Sequence, residues 1–132
     1  MPRRGLDAAR VVQTAGDLAD AEGIEAATLS RVAAALDVRP PSLYNHVSSH
    51  EAMVGAVAAQ AMDELGAALR DAAVGRAGED ALLAVAAAYR AYAHAHPGRY
   101  ALVQHGPRGD AATAAAAQAV VEVLLAVLHG YG

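Results

Sequence analysis

The sequence predicts an all-α chain, and three observations carry that reading. More than a quarter of the residues are alanine, the strongest helix former. Apolar residues recur three and four apart along most of the chain, without the alternation that marks a strand. Asp, Thr or Ser stands just ahead of the periodic stretches and Gly or Pro just behind them, as caps and stops do.

The elements follow in order. A first helix runs from Ala8 to Glu22, with Asp7 as N-cap and Gly23 as stop; Val11, Ala15, Leu18 and Ala19 share one face. A second begins after Thr28 and ends near Leu36, with Leu29, Val32, Ala33 and Leu36 at helical spacing. A short third helix covers Pro40 to Val47, since proline is welcome in a first turn. Ser48-Ser49-His50-Glu51 opens a long helix to about Ala73, with Met53, Val57, Ala61, Leu65 and Leu69 inward. Gly75 to Gly78 form a loop, and Asp80 to Ala95 a further helix that stops at His96-Pro97-Gly98. A short helical segment holds Arg99 to Gln104, Gly106-Pro107-Arg108-Gly109 breaks the chain, and Asp110 caps a long Ala-rich helix to about Leu128.

Composition bounds the function. The 132 residues suit one compact unit or a small head joined to a larger body. There is no cysteine, which excludes disulfides and thiol catalysis. There is no lysine either, and the net charge is −4. Within residues 1–50, Arg3, Arg4, Arg10, Arg31 and Arg39 give +5, while Asp7, Asp17, Asp20, Glu22, Glu25 and Asp37 give −6. Any anionic partner must therefore meet positive charge sorted onto one face. No apolar run follows the basic Arg3-Arg4, and Ala111–Leu128 is broken by Thr113, Gln118 and Glu122. Neither a signal peptide nor a membrane span is expected, and the expected location is cytoplasmic.

Residues 28–47 carry the strongest functional signal. Two short helices lie three residues apart, with Leu29, Val32, Ala33, Leu36, Val38, Leu43 and Val47 as a shared core. The outward face left over is Ser42, Tyr44, Asn45 and His46, with Arg39 at its start. A short helix rich in hydrogen-bonding side chains suits the major groove of DNA. The pattern alone also suits an ordinary helical hairpin, and Tyr44 could equally cap the small core.

The segment Pro41-Ser42-Leu43-Tyr44-Asn45-His46-Val47, together with Gly23, Thr28, Val32-Ala33 and Val38, makes residues 6–57 resemble the N-terminal domain of TetR/AcrR transcriptional regulators. The stretch Ala88–Tyr100, with Tyr89, Tyr92, His94, His96, Pro97 and Gly98, is similar to the C-terminal domain of the WHG-type branch of that family. The resemblance implies a helix-turn-helix DNA-binding domain over residues 1–49 and a helical ligand-binding and dimerisation domain over 50–132. It implies a homodimeric repressor on palindromic double-stranded operator DNA, released by a small apolar effector.

The same resemblance assigns roles. Pro40, Ser42, Tyr44, Asn45 and His46 match the recognition surface, with Tyr44 and His46 on phosphates and Ser42 and Asn45 on bases. Ser30 and Arg31 match the start of the preceding helix, which also touches DNA. His50 stands where family members usually carry a lysine phosphate anchor, which makes it a weaker, pH-dependent one. Asp37 replaces the usual turn glycine; Asp tolerates the left-handed conformation, so the turn is expected to survive. Arg3 and Arg4 are either a solvated tail or an arm along the duplex. The chain stops before the last two helices that pair across the dimer in the family, so it reads as a fragment.

An effector pocket would lie between the inward faces of three helices: Met62, Leu65 and Leu69 from the long helix, Tyr89 and Tyr92 from the next, and Val121, Leu124 and Leu125 from the last. Tyr89, Tyr92, His96 and Gln104 would supply polar groups among apolar walls. Tight alanine-mediated packing without a cavity suits the same composition. His94 and His96 point to different sides of a helix, and no metal-ligand spacing, nucleophile set or phosphate loop occurs. No catalytic residue, metal or cofactor is therefore expected. A reading from another class stays open: a helical small-molecule-binding protein without DNA binding, favoured by the acidic balance and His50.

Overall fold

The computed structural model describes residues 6–105, and all regular structure among them is helical. The helices are α1 (Ala8–Glu22), α2 (Leu29–Ala35), α3 (His50–Ala73), α4 (Gly78–Ala95) and α5 (Pro97–His105). Two 3-10 segments, Ile24–Ala26 and Pro40–Asn45, stand on either side of α2.

Side-chain caps fix three of the starts. The Asp7 carboxylate accepts from the Arg10 N–H at 2.8 Å. Thr28 Oγ1 accepts from Arg31 N–H at 3.1 Å, and Ser49 Oγ from Ala52 N–H at 3.0 Å. Each satisfies a donor that the first helical turn leaves without a partner. Gly23 ends α1 at φ 99°, a conformation that favours glycine.

The end of α2 is a Schellman turn. Asp37 N–H donates to Ala34 O at 3.2 Å and Val38 N–H to Ala33 O at 3.0 Å. Asp37 carries the left-handed conformation at φ 57°, as the sequence suggests for a residue standing in for glycine. Asp37→Gly is therefore expected to change unfolding free energy by no more than about 0.5 kcal/mol, while a β-branched side chain should cost about 1–2 kcal/mol. Urea denaturation of Asp37→Gly and Asp37→Val measures both.

Residues 40–45 form a 3-10 segment where the sequence suggests a short helix. Pro40 and Pro41 lack N–H donors, and six residues are too few to recover an α ladder. The chain re-enters a helix at Pro97, directly after His96, because proline fits the first helical turn.

Two apolar cores lie along α3. The first joins Val11, Ala15 and Ala19 of α1, Val32 and Ala33 of α2, Leu43 and Val47, and Met53, Val57 and Ala58 of α3. Leu102 of α5 also belongs to it, so the head's core reaches past residue 49 into both α3 and α5. The second core joins Ala61, Leu65 and Leu69 of α3 with Ala81, Val85 and Tyr92 of α4. One continuous helix thus carries both units on successive turns.

Candidate nucleic-acid interface

The segment after Asp37 presents its polar side chains because its apolar ones are anchored. Leu43 is fully buried and Val47 is 8% exposed, whereas Tyr44 between them is 57% exposed. Arg39, Pro40 and Asn45 are exposed, and Ser42 and His46 half-buried. The phenol therefore faces outward rather than closing the core. Ser30 and Arg31, in the first turn of α2, are exposed as well, and so is His50 at the start of α3.

Two of these candidates are already engaged. Arg31 Nη2 donates to both carboxylate oxygens of Glu22, at 2.8 and 2.7 Å. That hydrogen-bonded pair pushes the guanidinium pKa up and offsets its charge. The His50 Nε2–H donates to Ala27 O at 3.0 Å, tying the start of α3 to the loop before α2. Only its Nδ1 is left for an outside partner. Arg39 makes no ion pair among the described residues.

The residues expected around an effector divide into three environments. Leu65, Leu69 and Tyr92 are buried in the α3–α4 core, with Met62 half-buried against it. The Tyr92 hydroxyl donates to Glu64 Oε1 at 2.9 Å; burial first, and this carboxylate second, push its pKa up. Tyr89 lies at the rim, its hydroxyl 3.1 Å from that of Tyr100 and the two rings edge to face at 5.7 Å. The hydrogen bond to Tyr100, helped by burial, pushes Tyr89 up to about 12. Gln104 Nε2 donates to the Tyr100 hydroxyl at 2.9 Å. His96 turns away from this group toward α1, with Nδ1 2.8 Å from Asp20 Oδ2 and its ring 4.7 Å from that of Tyr92. Val121, Leu124 and Leu125, like Arg3 and Arg4, lie outside the described residues.

The densest polar cluster is centred on Arg99, which no local sequence pattern marks. This side chain is 3% exposed and joins α5 to α1. Its backbone N–H donates to Asp20 Oδ1 at 2.8 Å, and its Nη1 donates to Asp20 Oδ2. Nη2 donates to Asp17 Oδ1 at 3.1 Å and to Gln13 O at 3.4 Å. Two glycines make the space. A Cβ on Gly16 would lie 2.6 Å from the guanidinium, and one on Gly98 would lie 2.1 Å from the Ala19 backbone. A glycine inside α1 weakens the helix by about 0.5–1 kcal/mol relative to alanine. That interior glycine was the one sequence signal of a close approach.

Burial raises the Asp20 pKa, but the hydrogen bonds from the Arg99 backbone, His96 and the guanidinium outweigh it and hold the carboxyl below its ordinary value. A carboxyl lowered in the folded state stabilises above its unfolded pKa and loses that contribution as pH falls through the folded one. Thermal unfolding midpoints should therefore fall more steeply below about pH 4 in the wild type than in Asp20→Asn.

No group of His, Asp and Glu among the described residues could hold a metal ion, and no described helix is long and apolar enough to cross a membrane.

A family model for the tetracyclin repressor-like C-terminal domain matches residues 82–132. An uncharacterised HTH-type transcriptional regulator of Mycobacterium tuberculosis is 40% identical over 124 residues, spanning 92% of this chain and 57% of the relative. A second uncharacterised HTH-type transcriptional regulator, from Bacillus subtilis, is 35% identical over 99 residues, spanning 75% of this chain and 52% of the relative. The chain thus spans little more than half the length of these curated relatives. The crystal structure of a possible TetR family transcriptional regulator from Streptomyces coelicolor superposes with a TM-score of 0.68 at 29% identity, over 96% of this chain and 61% of the other.

Proposed function

We propose that the chain is a regulator of the TetR family that binds duplex operator DNA in the cytoplasm as a homodimer, a reading supported by its likeness to HTH-type and TetR family regulators. The observation that carries this reading is the outward Ser42, Tyr44 and Asn45 on a segment pinned by buried Leu43 and Val47. Ser42 and Asn45 read base edges, Tyr44 and His46 hold phosphates, and Arg39 and Pro40 frame the approach. Ser30, Arg31 and His50 flank the same surface and contact the backbone of the duplex. The Glu22 partner of Arg31 and the absence of lysine leave few fixed positive charges, so binding has a shallow salt dependence.

The regulator acts as a ligand-released repressor. A small apolar molecule enters the helical body beside Met62, Tyr89 and Tyr92 and favours a different spacing of the two heads. Only its differential affinity for the two states shifts the balance. The α3 helix, which carries part of both cores, transmits the change.

Selection of duplexes from a random-sequence pool tests the reading. An enriched inverted repeat, with half-sites about one helical turn apart, is the expected product. A pool that shows no enrichment would favour a small-molecule-binding protein without DNA contact.

A further inference from the structure

We propose that Arg99 is a positioning residue for the DNA-binding head: it latches α1 to α5 and so fixes the head's angle to α3. The proposal rests on the DNA-binding reading above.

Three observations support it. First, the guanidinium is buried between elements rather than inside one. It engages Asp17 and Asp20 of α1 from α5, and its Nε lies 4.0 Å from Glu64 Oε1 of α3. Second, Gly16 and Gly98 bring α1 and α5 so close that neither position has room for a methyl group. Third, α1 supplies Val11, Ala15 and Ala19 to the core that holds Val32 and Leu43, so a rotation of α1 carries the recognition surface with it.

A further acceptor, Glu64 of α3, lies just outside hydrogen-bond distance of the latch. Arg99 Nε is buried without a hydrogen-bond partner, and the nearby Glu64 oxygen already accepts from Tyr92. A carboxylate oxygen can accept a second hydrogen bond, so a small movement of α3 that closes the 4.0 Å gap lets Glu64 accept from Arg99 Nε as well. The guanidinium would then hydrogen-bond to α3 as well as to α1.

The test uses the full chain, Asp20→Asn and Gly16→Ala. The first weakens the acceptor; the second pushes a methyl group into the guanidinium while favouring the α1 helix. Hydrogen exchange of α1 and α5 without DNA is one measurement. The other is affinity for duplexes carrying the selected half-sites with zero, one or two added central base pairs. The wild type should discriminate these spacings by tenfold or more, and both variants by threefold or less, with faster exchange in α1. Variants that exchange faster yet keep the wild-type spacing preference would overturn the positioning role and leave a purely structural ion cluster. Unchanged α1 exchange in both variants would overturn the latch itself. A wild type that binds no duplex would overturn the DNA-binding reading, and the spacing claim with it.

Discussion

Replacing Tyr44 by alanine is expected to weaken operator binding by tenfold to more than a hundredfold while leaving the helical circular-dichroism signal unchanged. The side chain is 57% exposed, so its loss opens no cavity in the core. In a homodimer each substitution removes two phosphate hydrogen bonds, each contributing about 0.5–1.5 kcal/mol net. His46→Ala, half-buried beside it, should fall in the same direction by a smaller amount. Fluorescence anisotropy with a selected duplex measures both. Unchanged affinity in the two variants would remove the recognition role from residues 39–46.

The second large effect is on stability. Gly98→Ala places a Cβ 2.1 Å from the carbonyl carbon and oxygen of Ala19 and 2.6 Å from the Asp20 nitrogen. These are backbone atoms of a packed helix and cannot swing aside. The substitution is expected to cost on the order of 3 kcal/mol, the upper end of overpacking penalties. The unfolding temperature should fall by about 10 °C or more. Gly75→Ala is the control. Its φ is 74° and nothing lies within 4 Å, so only backbone strain of about 1–2 kcal/mol applies. If the two variants unfold at the same temperature, α5 does not pack on α1 as closely as described.

Helix starts were legible where a side chain marks them. Asp7 and Thr28 each cap the helix that follows, whereas α3 is capped by Ser49 through Ala52 N–H, one residue later than the Ser48–Glu51 capping-box pattern places it. The 3-10 segment Ile24–Ala26 has no side-chain cap and too few residues to show a period. Residues 40–45 kept their inward and outward faces despite the change of helix type, because buried Leu43 and Val47 set the faces. The Arg99 cluster was not legible for a different reason. Its partner Asp20 lies 79 positions away, and no local period records such a pairing. His96 is expected among the polar groups of a pocket, yet from the C-terminal end of α4 its ring meets Asp20 of α1. Only Gly16, a glycine inside a helix, hinted at the contact.

In the proposed complex the surface around Tyr44 meets the duplex. Hydrogen–deuterium exchange of the full chain, with and without a duplex selected from a random pool, tests it most directly. Protection confined to residues 28–31 and 39–50, with α4 unchanged, is the predicted result. Protection that falls on α4 or α5 and spares residues 39–46 would contradict it.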